Sequence, residues 1–167
     1  PISYIVTFCW IIGIINAYNL IDGLDGLCGS LSFLAILTYG VLYLITGSEE
    51  YTLCFIIAAC VLGFLCFNFP PAKIFMGDGG SQSLGFIIAV IPLFTSSNTY
   101  EYNKFLIMLV ITSIPLLDTI AAIWRRIRDH RPIMSPDRAH LHHKLMNLGY
   151  SGKRMLFNIN ISLDIKN

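Results

Sequence analysis

Residues 16–30 place polar side chains where an apolar segment would be expected to continue. The stretch reads Asn16-Ala-Tyr-Asn19-Leu-Ile-Asp22-Gly-Leu-Asp25-Gly-Leu-Cys-Gly-Ser and contains two amides, two carboxylates and three glycines. If it stays helical, its spacing puts Asp22 and Asp25 on one face, alongside Asn19. Carboxylates near a bilayer are costly unless they meet water, a cation or a polar partner, so the stretch indicates a binding or catalytic site. The alternative is a helix that leaves the membrane through Asp-Gly turns.

A second polar stretch, residues 72–81, is rich in glycine and carries one carboxylate. It reads Ala-Lys-Ile-Phe75-Met-Gly-Asp78-Gly-Gly-Ser. Glycines let backbone N–H groups converge on an anion, and a single carboxylate among them suits Mg²⁺ shared with phosphate groups. The stretch is therefore a candidate phosphate and metal site, with a plain turn between two apolar runs as the alternative.

A third polar stretch follows the last apolar run and is basic. Eight of the eleven Lys and Arg residues lie between Arg125 and Arg154. Clustered histidines are typical of zinc sites, but His140 and His143 share a helical face from which His142 points away, and no Cys is nearby. Among five arginines the favoured interpretation is a phosphate cradle, with a solvated basic loop as the alternative. The stretch places Arg138, His140, His142 and His143 after the arginine cluster at residues 125–131.

The composition is that of a protein embedded in a membrane. Hydrophobic residues make up 55% of the 167 residues, and charged residues 13%. Five apolar runs approach the length of a membrane span, at residues 2–15, 29–45, 51–69, 84–94 and 105–124. We predict an all-α, polytopic membrane protein with about five transmembrane helices, which form a single membrane domain over residues 1–167. The first run follows Pro1 without an initiator Met, which indicates an internal or C-terminal piece of a longer protein.

The distribution of charge predicts how the chain is oriented. Because basic loops stay in the cytoplasm, the basic and histidine-containing loop at residues 125–152 is expected there. The loops at 16–30 and 70–83 then share the cytoplasmic face, and the turns at 46–50 and 95–104 lie outside. All three polar stretches therefore meet on one side of the cell (inner) membrane. A chain this apolar is not expected to bind nucleic acid.

Together, the three stretches resemble the signatures of the polyprenyl-phosphate N-acetylhexosamine-1-phosphate transferases of glycosyltransferase family 4. Residues 16–27 are similar to that family's N-A-x-N-x-x-D-G-x-D-G-L, residues 75–81 to its F-x-G-D-x-G-S, and residues 140–143 to its H-x-H-H. The resemblance covers nearly the whole chain, residues 2–152. Three matches in the right order are more specific than any one of them.

The resemblance implies transfer of a sugar 1-phosphate from a UDP-sugar to undecaprenyl phosphate, with UMP released and Mg²⁺, or Mn²⁺ in its place, as cofactor. By position, Asp78 would be the metal ligand and Phe75 would stack on uracil. Asn19, Asp22 and Asp25 would line the nucleotide-sugar pocket, the two aspartates orienting substrate or metal rather than removing a proton. The basic side chains would hold the diphosphate or the sugar. The expected basic residues are Arg126, Arg138, His140, His142 and His143, of which the three histidines join Asp22, Asp25 and Asp78 as catalytic residues.

The histidine motif, preceded by Ser-Pro-Asp-Arg138, is more similar to the N-acetylglucosamine-1-phosphate branch, so the expected donor is UDP-N-acetylglucosamine. The family pattern also allows a homodimer. Two features depart from that pattern, since the chain lacks the family's D-D-x-x-D motif and has no apolar run of span length after the histidines. An inactive, truncated transferase is therefore an alternative. Others are a transporter or channel lined by Asp118 and the fourth run, and a zinc-dependent hydrolase that uses the three histidines.

Overall fold

The computed structural model describes residues 2–94 and 101–129, the side chains of 101–104 excepted. The described part consists of six α-helices, which are α1 (Ile2–Ile21), α2 (Leu27–Thr46), α3 (Tyr51–Asn68), α4 (Gly77–Phe94), α5 (Glu101–Ile111) and α6 (Ser113–Arg128). No β-strand occurs in these residues. The predicted all-α class is therefore confirmed.

Three of the helices, α1, α2 and α3, are long and apolar enough to cross a membrane. α5 and α6 qualify together as a fourth span, although they meet at an angle of 78°. α4 is not among the described helices that qualify. Large apolar side chains such as Phe8 and Phe67 are exposed on the outside of the bundle, as expected where lipid replaces water as the solvent. The described part is thus a polytopic membrane protein with three or four candidate spans, against about five predicted for the chain.

The prediction of a single helix over residues 105–124 is wrong, because the chain bends at Thr112. This residue is fully buried, and its backbone N–H and its hydroxyl both donate to the Met108 carbonyl, at 3.0 Å and 2.7 Å. Pro115 has no N–H to donate to the carbonyl four residues before it, which interrupts the helical ladder here. As a result Asp118 and Arg126 lie on α6, which is strongly tilted against α5.

α1 and α4 are both longer than predicted, at the same end of the bundle. α1 continues to Ile21 instead of residue 15, and α4 begins at Gly77 instead of residue 84. A carboxylate in the first turn of a helix interacts favourably with the free N–H groups there, and Asp78 takes this place in α4. Asn19 and Asp78 therefore lie on helices and not in loops.

α1 and α4 run antiparallel with their backbones in close contact. Gly85 makes this approach possible, because a Cβ atom built on it would lie 2.9 Å from the Cα of Ile15 and 3.2 Å from the carbonyl oxygen of Ile14. Farther from Asn19 and Asp78, the Nε1 of Trp10 donates to the Ala89 carbonyl at 3.2 Å. These contacts hold the start of α4 beside the end of α1.

α2 and α3 form a second antiparallel pair, joined by a short turn. Close packing again involves a glycine, since a Cβ on Gly40 would lie 2.9 Å from the ring of Phe55. The core between the two pairs contains Tyr18, Ile36, Tyr39, Leu65 and Ile88, all almost fully buried. The core fixes the two helix pairs relative to each other, and so it positions the polar residues at their common end.

Candidate functional site

The end of α1 and the start of α4 bring three polar side chains into contact. The Nδ2 of Asn19 donates to Oδ1 of Asp78 at 3.3 Å and to Oγ of Ser81 at 3.1 Å. Ser81 is fully buried, and its hydroxyl donates a hydrogen bond to the carbonyl oxygens of Gly77 and Asp78, each at 3.2 Å. Asp78 itself is exposed. The Asn19 amide therefore orients the Asp78 carboxylate from one side, while the carboxylate stays accessible from solvent.

The two aspartates of the first motif do not continue α1. The helix ends at Ile21, and a turn over residues 22–26 follows, in which the N–H of Gly23 donates to the Ile21 carbonyl at 2.9 Å. Gly26 closes this turn with a φ of 77°, a conformation that residues with a side chain rarely adopt. The stretch does not stay helical, so Asp22 and Asp25 do not share a helical face with Asn19. The two Asp-Gly pairs instead form a turn, as in the alternative interpretation.

Asp22 and Asp25 have different surroundings in this turn. Asp22 is half-buried, and this burial raises its pKa above the usual value of 3.8, with a further rise from the negative charge of Asp78. The Oδ2 of Asp25 instead accepts the backbone N–H of Ala72 at 3.3 Å. The charge of Asp78 therefore acts on Asp22, whereas Asp25 joins the turn to the segment between α3 and α4.

The carboxylates of Asp22 and Asp78 are suited to a divalent cation. Their negative charges repel, and a cation held by these residues would relieve that repulsion. Mg²⁺ commonly takes one or two protein carboxylates and completes its shell with water and substrate phosphates. In residues 2–94 and 101–129, no group of three or more His, Cys, Asp or Glu side chains is arranged to hold a metal alone. The site thus fits Mg²⁺ shared with a phosphorylated substrate.

The other predicted site residues are only partly within the described chain. Phe75 lies three residues before Asp78, and its side chain is 70% exposed, so its ring is accessible for stacking. Arg126 is half-buried in the last turn of α6, a helix that packs against α1. Four predicted residues lie outside the described ranges, and their roles stay predictions: Arg138, His140, His142 and His143.

Asn68 also belongs to this end of the bundle, although none of the three motifs includes it. It is the last residue of α3 and is 6% exposed. Its Oδ1 accepts the backbone N–H of Gly26 at 3.0 Å, and its Nδ2 donates to the carbonyl of Ile74 at 2.8 Å. The sequence does indicate this residue, because it is an amide at the end of an apolar run and polar residues in membrane segments are usually functional.

These contacts confirm that the stretches at 16–30 and 70–83 meet at one end of the bundle. Hydrogen bonds join Asn19 to Asp78, Asp25 to Ala72 and Gly26 to Asn68. The two stretches are separated by two whole helices in the sequence. The site is therefore a product of the fold, assembled from three helix ends and two connecting segments.

Comparison with known protein families agrees with this geometry. The model of the family described as glycosyl transferase family 4 matches residues 1–96, which include α1 to α4 and both polar stretches described above. The chain belongs to glycosyl transferase family 4. The resemblance seen in the motifs of this glycosyl transferase family 4 chain is thereby confirmed.

Curated relatives of this glycosyl transferase family 4 chain have related names. It is 44% identical over 150 residues to the probable undecaprenyl-phosphate N-acetylglucosaminyl 1-phosphate transferase of Bacillus subtilis (strain 168), covering 89% of this chain and 42% of that protein. The undecaprenyl-phosphate alpha-N-acetylglucosaminyl 1-phosphate transferase of Yersinia pestis is 35% identical over 160 residues, covering 92% and 44%. The decaprenyl-phosphate N-acetylglucosaminephosphotransferase of Mycobacterium leprae is 35% identical over 174 residues, also covering 92% and 44%. The chain thus spans less than half the length of these relatives.

Proposed function

We propose that this protein transfers N-acetylglucosamine 1-phosphate from UDP-N-acetylglucosamine to undecaprenyl phosphate and releases UMP. The observation that carries the proposal is the hydrogen bond between Asn19 and Asp78, beside Asp22, at the end of an apolar helix bundle. Carboxylates at this position can bind a metal–diphosphate from water within reach of a phosphate anchored in the bilayer. The names of the Bacillus subtilis and Yersinia pestis relatives support this choice of sugar and acceptor.

The proposed reaction exchanges one phosphoanhydride bond for another. An oxygen of the lipid phosphate attacks the β-phosphorus of the UDP-sugar and forms a new P–O bond. The bond between the β-phosphorus and the oxygen that bridges to UMP breaks, and UMP leaves with that oxygen and its electron pair. A lipid phosphate is already ionised at neutral pH, so no residue has to remove a proton. The main barrier is repulsion between two anions, which positive charge at the site would lower.

The residues of the site are suited to lower this barrier. We expect Asp78 and Asp22 to hold Mg²⁺, or Mn²⁺ in its place, which when bound neutralises charge on the diphosphate and on the departing UMP. Asn19 orients the Asp78 carboxylate through its Nδ2, and Phe75 is expected to stack on the uracil ring. The basic residues predicted to hold the diphosphate or the sugar are Arg126, Arg138, His140, His142 and His143.

The reaction requires a site at the cytoplasmic face of the cell membrane. The nucleotide sugar is dissolved in the cytosol, whereas the polyprenyl chain of the acceptor stays in the bilayer. The polar residues lie where the membrane-length helices α1 and α3 end. The excess of basic residues after α6 supports a cytoplasmic position for this end.

The test uses membranes that contain the full-length gene product, with undecaprenyl phosphate, Mg²⁺ and UDP-N-acetylglucosamine labelled in the sugar. We expect label in the lipid phase and UMP in the aqueous phase. Transfer from a different UDP-N-acetyl sugar would keep the reaction and change the donor. Absence of transfer with any donor would contradict the proposal, and substrate flux through proteoliposomes without chemistry would favour a transporter.

A further inference from the structure

The Asn68 side chain lies between the two segments that carry the acidic residues of the site. Its Oδ1 accepts the N–H of Gly26, the residue that closes the turn bearing Asp22 and Asp25. Its Nδ2 donates to the carbonyl of Ile74, which directly precedes Phe75 and lies four residues before Asp78. One amide therefore contacts both segments, and it uses its acceptor for one and its donor for the other.

Few other side chains can make both hydrogen bonds at this position. An amide offers an acceptor oxygen and a donor NH₂ group on one planar unit. A carboxylate would keep the acceptor for Gly26 but lose the donor for Ile74, and leucine has a similar size but neither group. Because Asn68 is 6% exposed, water can compensate for a lost partner only poorly, and an unpaired buried polar group is costly.

Two other hydrogen bonds hold the same segments. The N–H of Ala72 donates to Asp25, and the N–H of Lys73 donates to the carbonyl of Phe67, at 2.8 Å. The first bond joins the two segments to each other, and the second joins the segment before Phe75 to the end of α3. Asn68 supplies the two shorter of the three side-chain bonds, at 2.8 Å and 3.0 Å against 3.3 Å for Asp25.

We propose that Asn68 is a positioning residue, which sets the distance between the Asp22–Gly26 turn and the segment leading to Asp78. This inference rests on the transferase function proposed above. Asn68 acts through its neighbours, because its side chain is almost fully buried and bonds to the backbone of both segments. Its loss changes the spacing between Asp22 and Asp78 and leaves each of these side chains intact.

The test compares Asn68→Leu with Val61→Ala in the full-length protein. Val61 is equally buried on the same helix, at 6% exposure, and lies about two turns away from the site, so its truncation controls for loss of packing. Two properties are measured at a temperature where both variants are folded. They are kcat/KM for the UDP-sugar, and amide hydrogen exchange in peptides that cover residues 22–27 and 70–76.

Asn68→Leu is expected to raise exchange in both peptides and to lower kcat/KM on the order of 100-fold, since misplacement of about 1 Å can have this effect. Val61→Ala is expected to lower thermal stability without either change. If Asn68→Leu does not fold, Asn68→Ser, which cannot reach both partners, takes its place.

Unchanged exchange in both peptides, or kcat/KM within about twofold of wild type, would overturn the proposal. Equal effects of Val61→Ala on exchange and kcat/KM would overturn it as well, since they would show a general loss of packing. If the wild-type protein transfers no sugar phosphate, the proposed function fails. The exchange data then decide separately whether Asn68 holds the two segments.

Discussion

Replacement of Gly85 by Ala tests whether close packing of α1 against α4 positions the site. A Cβ at Gly85 would lie 2.9 Å from the Cα of Ile15, 3.1 Å from the Cβ of Tyr18 and 3.2 Å from the carbonyl oxygen of Ile14. Ordinary contacts between carbon atoms are about 3.5–4.0 Å. Two of these three atoms belong to the backbone, so a change of rotamer cannot relieve the clash. The helices must therefore separate by roughly 0.6–1 Å.

This separation is large enough to affect the hydrogen bond between Asn19 and Asp78. At 3.3 Å that bond is already longer than most, which lie between about 2.7 and 3.2 Å. Asp78 is two helical turns from Gly85, on the same helix. A shift of roughly 0.6 Å would take Asn19 out of hydrogen-bonding range, and we expect kcat/KM to fall about tenfold to 100-fold.

The effect of Gly85→Ala on stability is the difference between two terms. Alanine favours a helix over glycine by about 1 kcal/mol, whereas overpacking of a tight contact costs about 1–3 kcal/mol. We therefore expect the free energy of unfolding to fall by about 0–2 kcal/mol. Gly63→Ala is the matched control, because no atom lies within 4 Å of a Cβ built there. It should leave activity unchanged and raise stability by up to about 1 kcal/mol.

The assay is unfolding in lipid or detergent, together with transferase kinetics of the same full-length variants. A Gly85→Ala protein with wild-type kcat/KM would refute the argument that α1–α4 contact sets the geometry of the site. A loss of kcat/KM as large in Gly63→Ala would also refute it. In that case glycine itself would matter, and not the contact.

Three further predictions concern charge and lipid contact. Asp78→Asn should lower Mg²⁺-dependent turnover at least about 100-fold, because the carboxylate expected to hold the cation is gone, and intact turnover would contradict the assignment. Because the pKa of Asp22 is raised, the folded protein binds the proton of this carboxyl group more tightly than the unfolded chain does. The contribution of Asp22 to stability therefore falls as the pH rises from 3.8 through the raised pKa. The difference in unfolding free energy between wild type and Asp22→Asn should fall across this window, and a difference that rises would show that the sign is wrong. Trp124 is 67% exposed on α6, so brominated lipids should quench its fluorescence, which is identified as the part of the signal that Trp124→Phe removes. Quenching only by soluble iodide would place this face in water.

The helix ends show which parts of the site the sequence could predict. The glycine-rich run around Asp78 has the composition of a loop, and so the start of α4 at Gly77 was not predictable from it. The helix begins there because the Asp78 carboxylate lies in the first turn, where free N–H groups favour it. The sequence did predict correctly that this run meets the Asn19 stretch, because the alternating direction of the apolar runs places both stretches on the same face of the membrane.

The role of Asp25 depends on a contact that local sequence does not contain. Its carboxylate accepts an N–H from Ala72, 47 positions away, and this partner is defined only after α2 and α3 have packed. The bend at Thr112 is likewise not predictable from the sequence, although Pro115 lies within the run. Proline is tolerated in membrane helices, so its presence alone does not determine whether the helix continues or bends.

The most direct test of the central claim follows the β-phosphate of the donor. Full-length protein in membranes would receive UDP-N-acetylglucosamine carrying ³²P at the β-position, with undecaprenyl phosphate and Mg²⁺. Transfer of a sugar 1-phosphate predicts ³²P in the lipid fraction and unlabelled UMP in the aqueous fraction, with both lost in Asp78→Asn. Release of labelled UDP, with sugar but no ³²P in the lipid, would show transfer of the sugar alone and would contradict the account.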